Sequence, residues 1–217
     1  MMGTKMFSFC AALLMLLSNS SFAQSAPPLN SLLSKVEAVS LPNQSYTVPV
    51  SQNIAYTGTV KSSSSSLRAV SGLSTFAYTY NPKIGLRVAT VKTNKSVNSV
   101  KPSGSAQQPT LKVAIDLAKL LRGYASWQNV RITPATLNGE SCYEIMAQDN
   151  SFGYIIWVDT ADYFVSQIIL NIKGNRFAQI DITNRNVSGS YWLPSQIVLS
   201  NALDGSVITL NMGQYIF

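Results

Sequence analysis

From Gln128 to Phe217 the sequence leaves no room for a helix to cross over between strands. Apolar, β-branched runs follow one another with only short connections between them. Asn138-Gly139 separates VRITPATL from ESCYEIMA, Gly174-Asn175 separates FVSQIILNIK from RFAQIDIT, and Asp204-Gly205 separates QIVLSNAL from SVITLNMGQYIF. Each pair tolerates the positive φ that a two-residue hairpin turn demands. Residues 149–152, 160–163 and 184–190 read as further connections. Parallel neighbours need a crossover of a dozen or more residues, so these strands, about seven of them, must form an antiparallel meander.

Two helices and a few strands precede it. Leu29, Leu32, Leu33 and Val36 recur at helical spacing within Leu29–Val39. Asn30 is the natural N-cap there, and Ser34 and Glu37 have capping-box spacing. Residues 40–52 read as a polar, Pro-containing connection. Strands are expected over 53–61, 74–81 and 85–92, with Phe76, Tyr78 and Tyr80 on one face at period 2 and a turn at Asn81-Pro82-Lys83. Residues 61–66 and 93–109 read as loops by composition. Thr110–Tyr124 reads as the second helix, capped by Thr110. Leu111, Ile115, Ala118 and Leu121 share a face that Val113, Leu117, Leu120 and Tyr124 widen past half the circumference. A helix that apolar is buried or covers an apolar surface.

Three strand centres do not alternate: Tyr154–Val158, Ile168–Leu170 and Ile197–Leu199. A sheet with one face in water does alternate. Apolar residues on both faces fit a curved sheet filled by a helix on one side and by more helix or a ligand on the other. A closed barrel or sandwich core with some exposed apolar residues is the plainer account.

The chemistry available is narrow. There is no His among 217 residues, which removes Ser-His-Asp and Cys-His catalysis and His-based metal sites. Residues 1–23 read as a secretory signal: Lys5, then the apolar run Phe7–Leu17, then Ser21-Phe22-Ala23 as an A-x-A-like cleavage site. That leaves one exported domain over 24–217, with a retained anchor helix as the alternative. Cys10 leaves with the signal, so Cys142 is alone and no internal disulfide can form. Cys142 lies mid-strand and reads as a buried small hydrophobe. Asp159 and Asp162 are the closest pair of acids, but their DTAD setting is that of a turn. There is no G-x-S-x-G, Walker A or G-x-G-x-x-G motif. A non-enzyme without a cofactor is expected. Charged residues are 12% of the chain and the net charge is +7. The basic residues are scattered, so no nucleic-acid partner is expected, and an anionic membrane surface suits the charge better.

The segment YIIWVDTADYFVSQI carries Trp157, Val158, Asp159, Asp162, Tyr163 and Ile168, and WLPSQI carries Trp192, Leu193, Pro194 and Ile197. With the order of elements, these resemble the periplasmic outer-membrane lipoprotein-sorting group. That group includes the lipoprotein carrier and receptor LolA and LolB and the RseB-type envelope-stress sensor. Element order matches over most of residues 29–217, residue motifs only over about 138–217. The resemblance implies an α+β, mainly β fold: a half-open antiparallel β-barrel of 10–11 strands with helices covering its concave face. It implies binding of lipid or lipoprotein acyl chains on that face. The family carrier's functional Arg lies on an early strand, where Arg87 stands here, but no shared motif fixes the register and no role is carried over.

A periplasmic carrier is therefore the expected function, with the helix over 110–124 and its preceding loop as a lid. Candidate lining residues are Phe76, Tyr78, Tyr80, Leu117, Leu121, Ile155, Trp157, Ile168 and Leu170. The opposite strand face is the alternative lining. A sensor or scaffold of the same fold, binding an inner- or outer-membrane protein, is the alternative function.

Overall fold

The computed structural model describes residues 25–56, 72–89, 114–150, 152–203 and 205–217. The expected signal at 1–23, the loops at 61–66 and 93–109 and the cap at Thr110 lie outside them. Ten strands form one antiparallel sheet: β1 (Tyr46–Tyr56), β2 (Gly72–Asn81), β3 (Gly85–Ala89), β4 (Gln128–Leu137), β5 (Glu140–Asp149), β6 (Phe152–Asp159), β7 (Val165–Ile172), β8 (Asn175–Val187), β9 (Tyr191–Asn201) and β10 (Ser206–Met212). Their spatial order is β3-β2-β1-β10-β9-β8-β7-β6-β5-β4. The edges β3 and β4 do not meet, so the sheet is a half-open barrel. Two helices, α1 (Leu29–Ser40) and α2 (Leu117–Arg122), pack with its concave face in one core.

Topology explains where α2 sits. The seven-stranded meander β4–β10 and the β1–β3 unit join through the β1–β10 ladder. This leaves the strands on either side of the 90–127 connection at opposite edges. α2 lies on that connection, next to β3.

One transverse row accounts for the concave core. Ile132, Ile145, Ile156, Ile168, Ile180, Leu199, Ile208 and Ile54 stand opposite one another from β4 round to β1. Cross-strand β-branched pairs are the unit of sheet stabilisation. Leu32, Leu33 and Val36 of α1 are buried in the same cluster. The adjacent outward row runs Met146, Ile155, Ile169, Gln179, Ser200 and Val207, turning polar as it goes. Trp157 also faces outward, opposite Glu144 and Gln167. The apolar second face thus belongs to a convex surface, where Ile169 is buried beside an amide–carboxylate network. In it Gln167 Nε2 donates to Asp181 Oδ1 at 2.5 Å and Gln179 Nε2 to the same carboxylate at 3.0 Å. Side-chain packing under polar cover explains that face.

Several boundaries differ from the sequence expectation. Residues 46–52 belong to β1, not to a connection, and Pro49 sits inside the strand. Pro49 is tolerated because its neighbour is Gly213, just past the end of β10. Gly213 N donates to Pro49 O at 2.8 Å. The reciprocal donor, which proline lacks, is replaced by the Arg185 guanidinium, which donates to Gly213 O. A Cβ on Gly213 would lie 2.7 Å from Pro49 Cγ. Residues 184–187 likewise continue β8 through a bulge, pairing with 191–194, so the turn is confined to 188–190. The β7–β8 turn is Lys173-Gly174, one residue earlier than expected. At α1 the N-cap position is Pro28, not Asn30, and Leu32 N donates to Pro28 O at 3.0 Å.

The second helix is much shorter than the apolar pattern predicts. Residues 114–116 are not helical, α2 spans only Leu117–Arg122, and a 3-10 turn follows over Gly123–Ser126. Asp116 is the cause: its carboxylate accepts from Lys119 N at 3.1 Å. A short acceptor side chain favours the N-cap over the helix interior.

The two faces differ in what they contribute. Ile156→Ala should lower the unfolding free energy by about 2–5 kcal/mol. Ile155→Ala, one residue away and half-buried on the convex side, should cost less than half as much. Chemical denaturation of the two variants checks the assignment.

Candidate functional site

A cavity of about 60 Å³ lies between the concave face and the helices. Its walls come from both halves of the sheet: Tyr46 and Val48 of β1, Tyr78 and Tyr80 of β2, Ile182 of β8, Trp192, Leu193 and Ile197 of β9, and Met212. Ser40 and Leu41 at the end of α1 and Ile115–Ala118 at the start of α2 form the roof. The lining is mostly apolar. Its volume holds a few water molecules or a short length of hydrocarbon.

The roof is tied down at one corner by Asp116. One carboxylate oxygen accepts from Lys119 N, capping α2, and the other accepts from Leu86 N of β3 at 3.2 Å. Arg122 at the far end of α2 donates to Pro82 O in the β2–β3 turn at 2.8 Å. Gly85 makes room for this junction. It has φ +80°, and a Cβ there would lie 2.5 Å from an Asp116 carboxylate oxygen.

Hydroxyls set the polarity of the cavity. Tyr78 is 2% exposed, Tyr80 3% and Ser40 8%, and none of the three hydroxyls has a hydrogen-bond partner. A buried polar group left unpaired costs about 1–3 kcal/mol relative to a bonded one. Burial holds the Tyr78 hydroxyl protonated far above the ordinary phenol range. Burial also raises Tyr80, with Arg122 beside it pulling the other way. Tyr46 and Tyr215 are raised too, first by burial, and Tyr215 further raises Tyr46. Tyr46 stacks on Tyr80 with ring centroids 5.0 Å apart and meets Tyr215 edge-on at 5.0 Å. Tyr215 donates its hydroxyl to Pro194 O at 2.7 Å.

The residues singled out from sequence divide into three groups. Tyr78, Tyr80 and Leu117 line the cavity. Phe76, Leu121 and Ile168 are buried in the concave core without lining it, and Leu170 packs against its edge. Ile155 and Trp157 lie on the convex face, so the structure does not bring them to the cavity. Ile155 instead borders a wider depression of about 550 Å³, walled largely by the amides Asn129, Gln148, Asn150 and Asn171 with Lys173. Ser40, Tyr46, Asp116 and Trp192 were missed. Ser40 and Tyr46 fell in or beside a segment read as a connection. The Asp116 signal was present, since an Asp before an apolar run is a cap.

The acids and the thiol do not gather into a second site. Asp159 Oδ1 accepts from Ala161 N at 2.8 Å and Asp162 N at 2.7 Å, so it builds the β6–β7 turn. Cys142 is buried in β5, and burial pushes its thiol up, with Glu144 and Asp159 adding to the effect. Among the described residues no three His, Cys, Asp or Glu side chains are placed to hold a metal ion.

No protein-family model and no curated protein matches the sequence. Solved structures do match in fold. A LolA superfamily protein from Nitrosomonas europaea superposes with a TM-score of 0.58 at 14% identity, over 88% of this chain and 93% of that one. A putative outer-membrane lipoprotein-sorting protein domain from Vibrio parahaemolyticus gives 0.53 at 11%, over 90% and 93%. A DUF1329 family protein from Desulfovibrio piger gives 0.56 at 9%, over 87% and 91%. The fold is LolA-like, as the resemblance in sequence implied.

Two outcomes follow from the geometry. Asp116→Ala removes a helix cap and should destabilise by about 0.5–2 kcal/mol. Hydrogen exchange at Leu86 and Lys119 amides should rise with it. The buried tyrosines make the fold alkali-sensitive. Their folded pKa values lie above the ordinary 10.0, so the unfolded chain releases those protons first. Stability is therefore full below pH 10 and falls as pH rises beyond it. Urea titrations between about pH 9 and 11 should show that fall, with a shallower slope in Tyr78→Phe.

Proposed function

We propose that this chain is a periplasmic, non-enzymatic carrier or binding protein that holds an acyl chain of a lipid or lipoprotein under its helices. The observation that carries this reading is the roofed apolar cavity on the concave side of an open sheet, lined from seven strands. A monomer core has no need of such a space, because interiors pack to high density. Residues 1–23 supply the export signal that a periplasmic site requires. The lipoprotein-sorting description of the Vibrio parahaemolyticus structure, which shares the fold, points the same way.

Energetics favour such a ligand. Each buried CH₂ contributes about 0.8 kcal/mol, so even a partly inserted chain is held. The cavity is small for a whole acyl chain, so α2 must lift to admit one. It is short, and its ties to β3 and the β2–β3 turn are few and polar. A roof of that kind opens without breaking the Ile row beneath it.

Protein purified from the envelope fraction should carry acyl lipid, seen as adduct masses in native mass spectrometry. Ala118→Trp would fill the cavity, cost about 1–3 kcal/mol by overpacking, and abolish the adduct. A lipid-free parent, or an Ala118→Trp variant that keeps its adduct, would count against the cavity as the binding site.

A further inference from the structure

Three residues of this apolar lining, Ser40, Tyr78 and Tyr80, carry buried hydroxyls without a hydrogen-bond partner. The Tyr80 hydroxyl has the Arg122 guanidinium beside it, and the contrast of the other two with their surroundings defines the ligand more closely. Ser40 is the last residue of α1 and Tyr78 stands in the middle of β2. Both are more than nine-tenths buried, both line the same space, and neither hydroxyl has a hydrogen-bond partner. A cavity built only for hydrocarbon would carry Phe and Ala at these places, since an unpaired hydroxyl is destabilising and the ring would pack as well without it.

The charges around the cavity narrow the choice of partner. Burial keeps the Tyr78 hydroxyl protonated, so it can donate at any physiological pH. Among the described residues the lining contains no Lys or Arg, and its one carboxylate is Asp116. A fatty-acid carboxylate or a lipid phosphate would enter without a counter-charge in the wall and with an acid nearby, which low-dielectric surroundings penalise. Arg122 sits beside Tyr80 but is committed to the Pro82 carbonyl and does not line the cavity. A neutral carbonyl fits instead. Its oxygen has two lone pairs and no donor, which complements two hydroxyl donors.

We propose that the cavity recognises the neutral carbonyl of an ester or amide linkage at the head of an acyl chain, through donation from Ser40 Oγ and the Tyr78 hydroxyl. This rests on the acyl-binding reading above and adds the chemical class of the head. The acyl chain supplies affinity through burial, and the hydroxyl pair supplies selectivity for linked acyl groups over free fatty acid and over plain hydrocarbon.

The test uses the purified full chain and three probes of equal chain length: methyl laurate, laurate and dodecane. Binding is followed by the fluorescence of Trp192, which lines the cavity, and by native mass spectrometry. The parent should bind methyl laurate more tightly than either other probe. Tyr78→Phe should weaken methyl laurate by about five- to tenfold, the worth of one hydrogen bond, and leave dodecane unchanged. Ser40→Ala, a milder change on a different element, should act in the same direction, and thermal unfolding of both variants confirms that they fold. If dodecane binds as well as methyl laurate, or both variants bind all probes as the parent does, the carbonyl site falls while the acyl cavity stands. If laurate binds most tightly, the site selects an anion and the neutral-linkage proposal is overturned. If no probe binds, the acyl reading fails and this proposal fails with it.

Discussion

The ladder between β1 and β10 is the interaction on which the rest of the structure depends. It pairs Val50–Tyr56 with Ser206–Met212 and so joins a three-stranded unit to a seven-stranded meander. The paired residues lie at opposite ends of the chain, so a long loop must close before the pairing contributes. Once it is made, Val48, Tyr78 and Tyr80 from one unit face Ile182, Leu193 and Ile197 from the other across the cavity. Without that ladder neither unit has a concave side deep enough to cover. Pro49, Gly213 and Arg185 extend the join past the last ladder pair, and Ile216 pairs again with Thr47 beyond it. The C-terminal residues thereby bring Tyr215 against Tyr46, which shapes the aromatic wall.

The aromatic wall and the hydroxyls pull in opposite directions energetically. Stacking of Tyr46 on Tyr80 and burial of Tyr78 stabilise the fold through their rings. Tyr78 would contribute as much as a Phe of the same shape, and its hydroxyl subtracts from the total. Tyr215 is the informative contrast: buried in the same cluster, it donates its hydroxyl to Pro194 O. The chain can therefore satisfy a tyrosine in this environment, and it does so for Tyr215 and not for Tyr78 or Tyr80. A difference of that kind within one core cluster follows function better than packing.

The meander was legible because turn chemistry is local. Asn138-Gly139 dictates its hairpin from two residues, and the absence of crossover length dictates antiparallel pairing. Three features were not legible, each because a distant partner decides it. Pro49 reads as a strand breaker until Gly213 and Arg185 stand beside it. The period of two places Ile155 and Trp157 on the face opposite Ile156, but period alone does not say which face is concave. The apolar pattern across Thr110–Tyr124 ignores Asp116, whose carboxylate accepts from Lys119 N and Leu86 N, donors that belong to two elements at once. The core positions of the site, Tyr78 and Tyr80, came from strand alternation. Of the roof positions, Ser40 came only with tertiary structure, whereas Asp116 carried a capping signal that the apolar pattern around it masked.

The shortness of α2 is itself a consequence of where it lies. An isolated helix of six residues is far below the length that is stable in water, so α2 exists only through what it touches. Those contacts are Ala118 and Leu121 buried beneath it and the polar ties at Asp116 and Arg122. By capping α2, Asp116 also anchors the roof at its β3 side, near the edge strand. The remaining roof, formed by Ser40 and Leu41, stays fixed because α1 is twelve residues long and packed on β9. The result is a cavity with one rigid and one marginal cover, and the unpartnered hydroxyls of Ser40 and Tyr78 lie on the rigid side, α1 and the sheet. A ligand entering past α2 would meet its polar partners only after its apolar part had already displaced the cover.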